Sequence, residues 1–314
     1  MKEIEEKIRE AARRLLEEGK VDVVVGYENG TLPLVSRPCF IRRPEDCDRL
    51  VWNSSCKANL ISYLPKLDEK AAVVKKGCDS LALASLIREH QLKRDDVYAI
   101  GVPCTGAIDR GKIVAALGRE IDEASETGDT ITASAKGDTK TFKKEDVLQE
   151  YCRNCTHHKP EICDEMVDVE AAPEEGETWQ RLKEFEEMTP DERWEYFTGQ
   201  VSKCIRCYAC RSVCPLCYCK TCFVDNTKPR DCNTGVDESD IQLFHLIRAF
   251  HTAGRCVGCG ECVRVCPMGV DLSLLNRKLA EDCAELFGDE ATADVEQKNT
   301  LDSYKEDDWQ DFFY

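Results

Sequence analysis

The sequence has no long apolar run, no net positive charge and no Gly-x-Gly-x-x-Gly fingerprint. A membrane-spanning helix needs about 18 consecutive apolar residues, so no span is predicted. The chain carries 43 Lys and Arg against 60 Asp and Glu, a net charge of −17. This excess of acid argues against nucleic acid as a partner, because phosphates are bound by basic surfaces. The missing fingerprint leaves a dinucleotide site of the common kind without support.

The first 20 residues also lack the apolar core of a signal peptide and instead alternate charges at helical spacing. We therefore expect a cytoplasmic protein. The 314 residues are about right for two domains, and 42% hydrophobic residues are enough to build a core.

Cysteine is the abundant residue, with 21 in the chain. Disulfides persist in oxidising compartments, and nothing in the sequence directs the chain to one. Many thiols in a reducing compartment usually indicate metal binding. The functional prediction therefore depends on how the cysteines are spaced.

Residues 1–165 alternate short apolar runs with helical patterns, which predicts an α/β domain with a mostly parallel sheet. An amphipathic helix opens the chain, and a clear helix with Asp79 or Ser80 as its cap is predicted at residues 81–92. Further elements follow from apolar and polar alternation: strands at residues 21–25, 50–52, 71–74 and 97–102, and a hairpin within 128–143.

Three cysteines follow predicted strands directly: Cys56, Cys78 and Cys104. The carboxyl ends of parallel strands lie at one edge of a sheet, where ligands bind. We therefore expect these three thiols to converge in space.

The rest of the chain divides by composition. Residues 166–200 are predicted as an acidic linker and a helix that begins at Thr189–Pro190, and residues 201–290 as a helical, cysteine-dense domain. Residues 291–314 form an acidic tail whose aromatic side chains we expect to dock on this protein or on a partner. Within the helical domain, residues 240–251 are predicted to form an amphipathic helix. Its apolar side carries Leu243, Leu246, Ile247 and Phe250.

The helical domain contains the motif C-x2-C-x2-C-x3-C-P twice, at residues 204–215 and 256–267. This spacing wraps three thiolates around one 4Fe-4S cluster and sends the fourth to the partner cluster. The first cluster is therefore predicted to take Cys204, Cys207, Cys210 and Cys266. The second is predicted to take Cys256, Cys259, Cys262 and Cys214. The alternative is a pair of structural zinc sites, but those usually use two C-x2-C pairs set well apart.

The two motifs are separated by 42 positions from Cys214 to Cys256, enough to insert a helix. In this respect the domain resembles the helical ferredoxin domains of heterodisulfide reductase and succinate dehydrogenase small subunits. A free-standing small bacterial ferredoxin would have a shorter link.

A third group of cysteines lies in the N-terminal half. Cys152 and Cys155 form a C-x2-C pair, Cys163 follows eight positions on, and Cys78 and Cys104 stand at neighbouring strand ends. Four of these could hold another 4Fe-4S cluster. A zinc site or buried free thiols are the alternatives.

Three segments of this half resemble the β-subunit family of deazaflavin-reducing hydrogenases and formate dehydrogenases. They are Lys76-Gly77-Cys78-Asp79-Ser80, Gly101-Val102-Pro103-Cys104-Thr105-Gly106 and Tyr151-Cys152-Arg153-Asn154-Cys155. The family carries an iron-sulfur cluster, FAD and a deazaflavin site. The resemblance implies that the ligands of a third cluster are Cys78, Cys104, Cys152 and Cys155. The sequence itself leaves open whether Cys163 or Cys56 replaces one of them.

The resemblance also implies FAD, which the sequence leaves open. In that family the C-x2-C segment is followed by further chain that helps to build the flavin pocket. Here the chain turns into an acidic linker and a ferredoxin domain instead.

A fourth group comprises Cys217, Cys219 and Cys222, with Cys232 downstream. Its C-x-C-x2-C spacing matches no standard cluster motif. An extra metal site, an alternative ligand for a neighbouring cluster and inert thiols all remain open. The other cysteines, Cys39, Cys47 and Cys283, are interpreted as buried or surface thiols, and the neighbouring pair His157–His158 as part of a solvated loop.

Two ferredoxin-type clusters and a third, without a convincing substrate pocket, predict an electron conduit. The hypothesis is an iron-sulfur electron-transfer subunit of a cytoplasmic anaerobic oxidoreductase complex, of the formate dehydrogenase, hydrogenase or heterodisulfide reductase kind, whose partners are the other subunits. A catalytic activity of its own is left open. The alternatives are a flavin-containing subunit that reduces or oxidises a deazaflavin or another soluble carrier, and a redox-sensing or zinc-stabilised scaffold.

Overall fold

A computed structural model of the chain describes residues 2–153, 155–167, 180–228, 230 and 232–299. The N-terminal elements are α1 (Lys2–Glu17), β1 (Val23–Asn29), β2 (Ser36–Ile41), β3 (Ala71–Lys75), α2 (Gly77–Arg88), β4 (Val97–Gly101), α3 (Arg110–Leu117), β5 (Glu123–Thr127), β6 (Thr130–Ala135), β7 (Asp138–Lys143), α4 (Glu150–Arg153) and β8 (Glu165–Met166). The C-terminal helices are α5 (Gln180–Glu186), α6 (Pro190–Val201), α7 (Ala209–Val213), α8 (Glu238–His251), α9 (Glu261–Arg264) and α10 (Ser273–Phe287).

The main sheet has the strand order β2-β1-β3-β4-β8. Strands β1, β3, β4 and β8 run parallel, and β2 pairs antiparallel at one edge. All five residues of β3 are buried, as expected for a strand covered on both faces. The predicted fold class is confirmed: a mostly parallel α/β region followed by a helical region.

The strand predicted at residues 50–52 is not there, because this apolar segment packs without joining a ladder. Leu50 accepts a hydrogen bond from Arg9 Nε at 2.9 Å, and the Trp52 amide donates to Glu5 on α1 at 3.0 Å. The sheet is completed instead by β2, which the sequence pattern missed. This apolar segment is therefore buried beneath α1 and bonds to it, instead of pairing with a neighbouring strand.

A second, three-stranded antiparallel sheet, β5-β6-β7, covers the stretch where a hairpin is predicted. The hairpin between β6 and β7 is confirmed, and β5 extends it on the other side. Ile131 and Ala133 of β6 are buried against Ile113 of α3.

The helix predicted to begin at Thr189–Pro190 is α6, and Thr189 is its N-cap. The Glu192 amide donates to Thr189 Oγ1 at 3.3 Å, and the Glu192 side chain accepts from the Thr189 amide at 2.8 Å. Among the helices of the described residues, none is long and apolar enough to cross a membrane. The aromatic part of the predicted C-terminal tail and most of the acidic linker lie outside the described residues.

The apolar side that the sequence gives to α8 is not its buried side. Leu243 is 37% exposed and Phe250 is 60% exposed. The buried side instead carries Phe244, His245 and Arg248, and it faces the two cysteine motifs.

The helical region packs directly on the α/β region. Leu216, just after the first motif, and Val257, inside the second, belong to the same apolar core as the main sheet. Glu89, just after α2, forms an ion pair with Arg255 and accepts a hydrogen bond from Tyr218 Oη at 2.6 Å. The cysteines of the two regions therefore lie on either side of one buried junction.

Candidate metal centres

The two cysteine motifs adopt the same local backbone. In each, the second residue after the first cysteine and the residue after the second cysteine have left-handed φ angles: 52° and 59° at Arg206 and Tyr208, 62° and 70° at Gly258 and Gly260. This curls the chain so that amide N–H groups point at sulfur. The Arg206 amide donates to Cys204 Sγ at 3.3 Å, and the Gly258 amide makes the equivalent bond to Cys256.

The first cavity is lined by all four cysteines predicted for the first cluster: Cys204, Cys207, Cys210 and Cys266. The last of them comes from the second motif, as the crossed ligand rule expects. The Val270 amide donates to Cys266 Sγ at 3.4 Å. Cys207 is exposed, so this cavity lies nearest the protein surface.

The second cavity is lined by the four cysteines predicted for the second cluster: Cys214, Cys256, Cys259 and Cys262. Here Cys214 is the crossed member, contributed by the first motif. Asn276 Nδ2 on α10 donates to Cys262 Sγ at 3.6 Å. Cys262 also lines the first cavity, so the two cavities adjoin.

The donor sets of both cavities fit 4Fe-4S clusters. Each offers four thiols with amide donors aimed at sulfur, which is the arrangement that holds and tunes such clusters. Burial raises the pKa of the Cys262 thiol to about 12 and also raises the pKa of Cys256. Thiolates at these positions therefore need a compensating cation such as iron. The role of these residues as ligands stays a prediction.

The third site is assembled from separate elements of the α/β region. Cys78 lies in the first turn of α2, Cys104 follows β4, Cys152 lies in α4 and Cys155 comes just after it. Burial, followed by the charge of Cys104, raises the pKa of Cys152 to about 12. Burial raises the pKa of Cys78 as well, and the charge of Cys155 acts in the same direction. The four thiols thus lie close enough to interact electrostatically.

Amide donors also surround the third site. Gly106 donates to Cys104 Sγ at 3.4 Å, Ala107 to Cys152 Sγ at 3.5 Å, and His157 to Cys155 Sγ at 3.4 Å. The site therefore offers four thiols, of which Cys104, Cys152 and Cys155 accept an amide N–H, a donor chemistry like that of the first and second cavities.

Helix α2 begins earlier than predicted, and this positions Cys78. The helix starts at Gly77, and Asp79 accepts a hydrogen bond from the Lys76 amide at 2.9 Å rather than serving as the residue before the helix. A Cβ at Gly77 would overlap the carbonyl of His157, so glycine lets the loop after Cys155 approach the helix.

The loop at His157–His158 is packed, not solvated as predicted. The Cys104 amide donates to the His158 carbonyl at 2.9 Å, and the His158 ring nitrogen Nδ1 lies 2.8 Å from the Cys104 carbonyl oxygen. His158 is only 9% exposed. It fixes the backbone at Cys104 and so helps to position the third site.

The two alternate ligands have different surroundings. Cys163 sits over Gly101 and beside Lys75, and the Lys75 ammonium is among the groups that influence its pKa. Cys56 is buried, with the Asn53 amide donating to its sulfur at 3.4 Å, and Lys76, just after β3, is among the groups that influence its pKa. Which of these cysteines take part in the third site stays a prediction.

The fourth cysteine group is dispersed. The Cys217 thiol hydrogen-bonds Cys214 and lowers the pKa of that predicted ligand. Cys219 is exposed, Cys222 contacts Arg211, and Cys232 is buried with Arg206 Nη2 at 3.6 Å from its sulfur. Among the described residues, no three His, Cys, Asp or Glu side chains surround one point closely enough to hold a single metal ion.

Residues 200–270 match the family model of the 4Fe-4S dicluster domain. The match spans both cysteine motifs and ends just after the second. It confirms the predicted dicluster ferredoxin region.

Two curated relatives match most of the chain. The F420-dependent formate dehydrogenase subunit beta of Methanocaldococcus jannaschii is 25% identical over 340 residues, covering 87% of this chain and 88% of the relative. The F420-dependent formate dehydrogenase 1 subunit beta of Methanococcus maripaludis is 26% identical over 315 residues, covering 76% of this chain and 78% of the relative. The resemblance predicted from the N-terminal segments is confirmed.

A solved structure was also found, the xenon-derivatised F420-reducing NiFe hydrogenase complex from Methanosarcina barkeri. One of its chains aligns with 50% of this chain and 63% of its own length, at 16% identity and a TM-score of 0.37. A likeness of this size is too weak to establish a shared fold.

Several residues at the site escaped the sequence analysis. Tyr151 packs over Gly260, and Arg277 lies between Cys155 and Cys256. His245 and Arg248 of α8 line the first and second cavities. The available signal was a charged residue and a histidine inside the otherwise apolar stretch 243–250, between the two cysteine motifs.

Proposed function

We propose that this chain is an iron-sulfur electron-transfer subunit of a cytoplasmic anaerobic oxidoreductase complex of the formate dehydrogenase type. Three 4Fe-4S clusters, held at the first and second cavities and at the third site, would relay electrons one at a time. The names of both relatives, subunits of F420-dependent formate dehydrogenases, support the formate dehydrogenase assignment over the hydrogenase and heterodisulfide reductase alternatives.

One observation carries the proposal: the three cysteine sites adjoin one another in a single series. Cys262 lines both the first and the second cavity. Cys256 lines the second cavity and also a junction cavity, which it shares with Cys78 and Cys155 of the third site. Electron tunnelling falls steeply with distance, so a conduit needs this kind of unbroken succession.

The chain's own residues hold and insulate this series. The apolar contacts of Leu216 and Val257 with the sheet core shield the second cavity from water, whereas Cys207 and Ile205, which is 54% exposed, bring the first cavity to the surface. The first cavity is therefore the end of the series best placed to exchange electrons with a partner protein.

The second candidate function is a flavin-containing subunit that exchanges electrons with a deazaflavin. The term F420-dependent in the names of both relatives favours it. Flavin released from the denatured, anaerobically purified protein in a one-to-one ratio with the chain would move this candidate to first place.

The proposal is tested in the native complex, purified anaerobically through a tag on this chain. In a Cys210→Ser variant, we expect electron transfer from formate to deazaflavin to fall at least tenfold, while formate oxidation with an artificial dye at the catalytic subunit is retained. Cys219→Ser, at an exposed cysteine outside the three sites, is the matched control and should keep both activities. Equal rates for the Cys210→Ser and wild-type complexes in both assays would refute the conduit.

A further inference from the structure

Helix α8 directs two polar side chains into the two cavities of the dicluster region. His245 lines the first cavity, and Arg248, one turn later, lines the second. They are only 3% and 4% exposed. Neither residue is among the predicted ligands. Both lie on the buried side of α8, where a polar side chain is unexpected.

Both side chains have buried polar atoms without a partner. Neither ring nitrogen of His245 has a hydrogen-bond partner among the described residues, and the same holds for Arg248 Nε. The Arg248 guanidinium donates from Nη2 to the Cys210 carbonyl oxygen at 3.2 Å. A buried donor without an acceptor costs free energy. Acceptors inside the cavities would remove that cost.

The surroundings of Arg248 are made of thiols from both predicted clusters. Arg248 lines the second cavity beside Cys214, Cys256 and Cys262, and its Nη2 reaches the carbonyl oxygen of Cys210, which lines the first. An arginine stays charged under all ordinary conditions. Arg248 is therefore a fixed positive charge between the two cavities.

We propose that α8 sets the reduction potentials of both clusters in the dicluster region, with Arg248 acting on the second cluster and His245 on the first. Arg248 would act through its charge and its unpartnered Nε–H. His245 would donate one ring N–H to a sulfur of the first cluster. Both are positioning residues, and the inference rests on the clusters of the proposed function.

The direction of the effect follows from charge. When a cluster accepts one electron from a one-electron reductant, its net charge becomes more negative by one, and no bond forms or breaks. A nearby cation or N–H donor stabilises the reduced form more than the oxidised form, which raises the potential. Because bonds to a charged donor are about twice as strong as neutral ones, Arg248 should have the larger effect.

The test measures reduction potentials by electron paramagnetic resonance during an anaerobic redox titration of the full-length protein. Four variants are compared with wild type: Arg248→Met, Arg248→Lys, His245→Phe and Leu243→Ala. Leu243 lies on the exposed side of the same helix and serves as the control. Iron and acid-labile sulfide are measured on every sample, and the potentials are compared as values of the coupled set of clusters.

We expect Arg248→Met to lower the potential of one cluster, Arg248→Lys to stay close to wild type, and His245→Phe to lower a different potential by less. Leu243→Ala should change none. If Arg248→Met does not retain its clusters, Arg248→Lys and His245→Phe still decide the outcome.

Unchanged potentials in fully loaded His245→Phe and Arg248→Met proteins would overturn the inference. An Arg248→Lys protein shifted as far as Arg248→Met would also overturn it, because charge would then have no part. A wild-type protein without iron and sulfide would instead refute the proposed function, so the two failures are distinct.

Discussion

The α/β region buries most of its apolar side chains in one large core around the main sheet, whereas the helical region has only small apolar groups. One such group holds Val201, Ile241, Val270 and Leu272, with Cys204 and Cys266 packed against it. Another contains Val224, Cys232 and Phe244, with Cys210 at its edge. Predicted ligand cysteines thus pack against the small cores of the helical region, whereas none of the four cysteines of the third site belongs to the large core of the α/β region.

The difference extends to how each site is assembled. The helical region draws its ligands from two local repeats with the same backbone curl, and each repeat supplies one ligand to the other's cluster. The third site collects its thiols from α2, α4 and two loops, held in place by contacts such as those of His158. We therefore expect cluster binding to stabilise the folded state of the helical region strongly. The α/β region should stay folded when its cluster is absent.

The largest effect should come from the crossed ligand Cys214. We expect Cys214→Ala to remove about four irons per chain, those of the second cluster, and to loosen the helical region, because the cluster replaces an apolar core there. Iron analysis and limited proteolysis measure the two effects. The matched variant is Cys104→Ala, which should also lose about four irons but leave the α/β region resistant to protease. Equal protease sensitivity of both regions in both variants would break the comparison.

A smaller effect is expected where the two regions meet, at Gly260. This residue has a φ of 70°, and an added Cβ would overlap the Tyr151 ring. Gly269, with a φ of 63° and nothing within 4 Å of an added Cβ, isolates the backbone contribution. Gly269→Ala should lower the free energy of unfolding by about 1 kcal/mol and Gly260→Ala by about 2–4 kcal/mol. Denaturant unfolding under anaerobic conditions compares the two, and similar losses would show that the junction does not constrain Tyr151.

The smallest effect is expected at Cys163, which follows the C-x2-C pair in sequence but lies over Gly101 in space. Cys163→Ser should leave the iron content unchanged, whereas Cys155→Ser should lower it by about four per chain. A loss of iron in the Cys163→Ser protein would move this residue into the third site and remove Cys155 or one of its three companions from it.

Local sequence was enough to predict what depends on short-range spacing. The two C-x2-C-x2-C-x3-C-P motifs, the strands at β3 and β4 and the cap at Thr189 are each recognised from residues within a few positions of one another. Cys78 and Cys104 were predicted to meet because parallel strands bring their carboxyl ends to one edge. The predictions that failed concern segments whose structure depends on contacts with distant parts of the chain.

Two failures share this cause. The apolar segment Leu50-Val51-Trp52 satisfies its backbone partly through α1 and so needs no ladder. The buried side of α8 carries His245 and Arg248 because it faces thiols rather than an apolar layer, which helical periodicity alone cannot reveal.

The central claim, three iron-sulfur clusters in one electron-transfer chain, is tested most directly by quantifying iron, acid-labile sulfide, zinc and released flavin in one anaerobically purified sample. The account predicts about twelve irons and twelve sulfides per chain, with zinc below stoichiometry. About eight irons would confine the clusters to the helical region and contradict the third site. Stoichiometric zinc without sulfide would contradict the account as a whole.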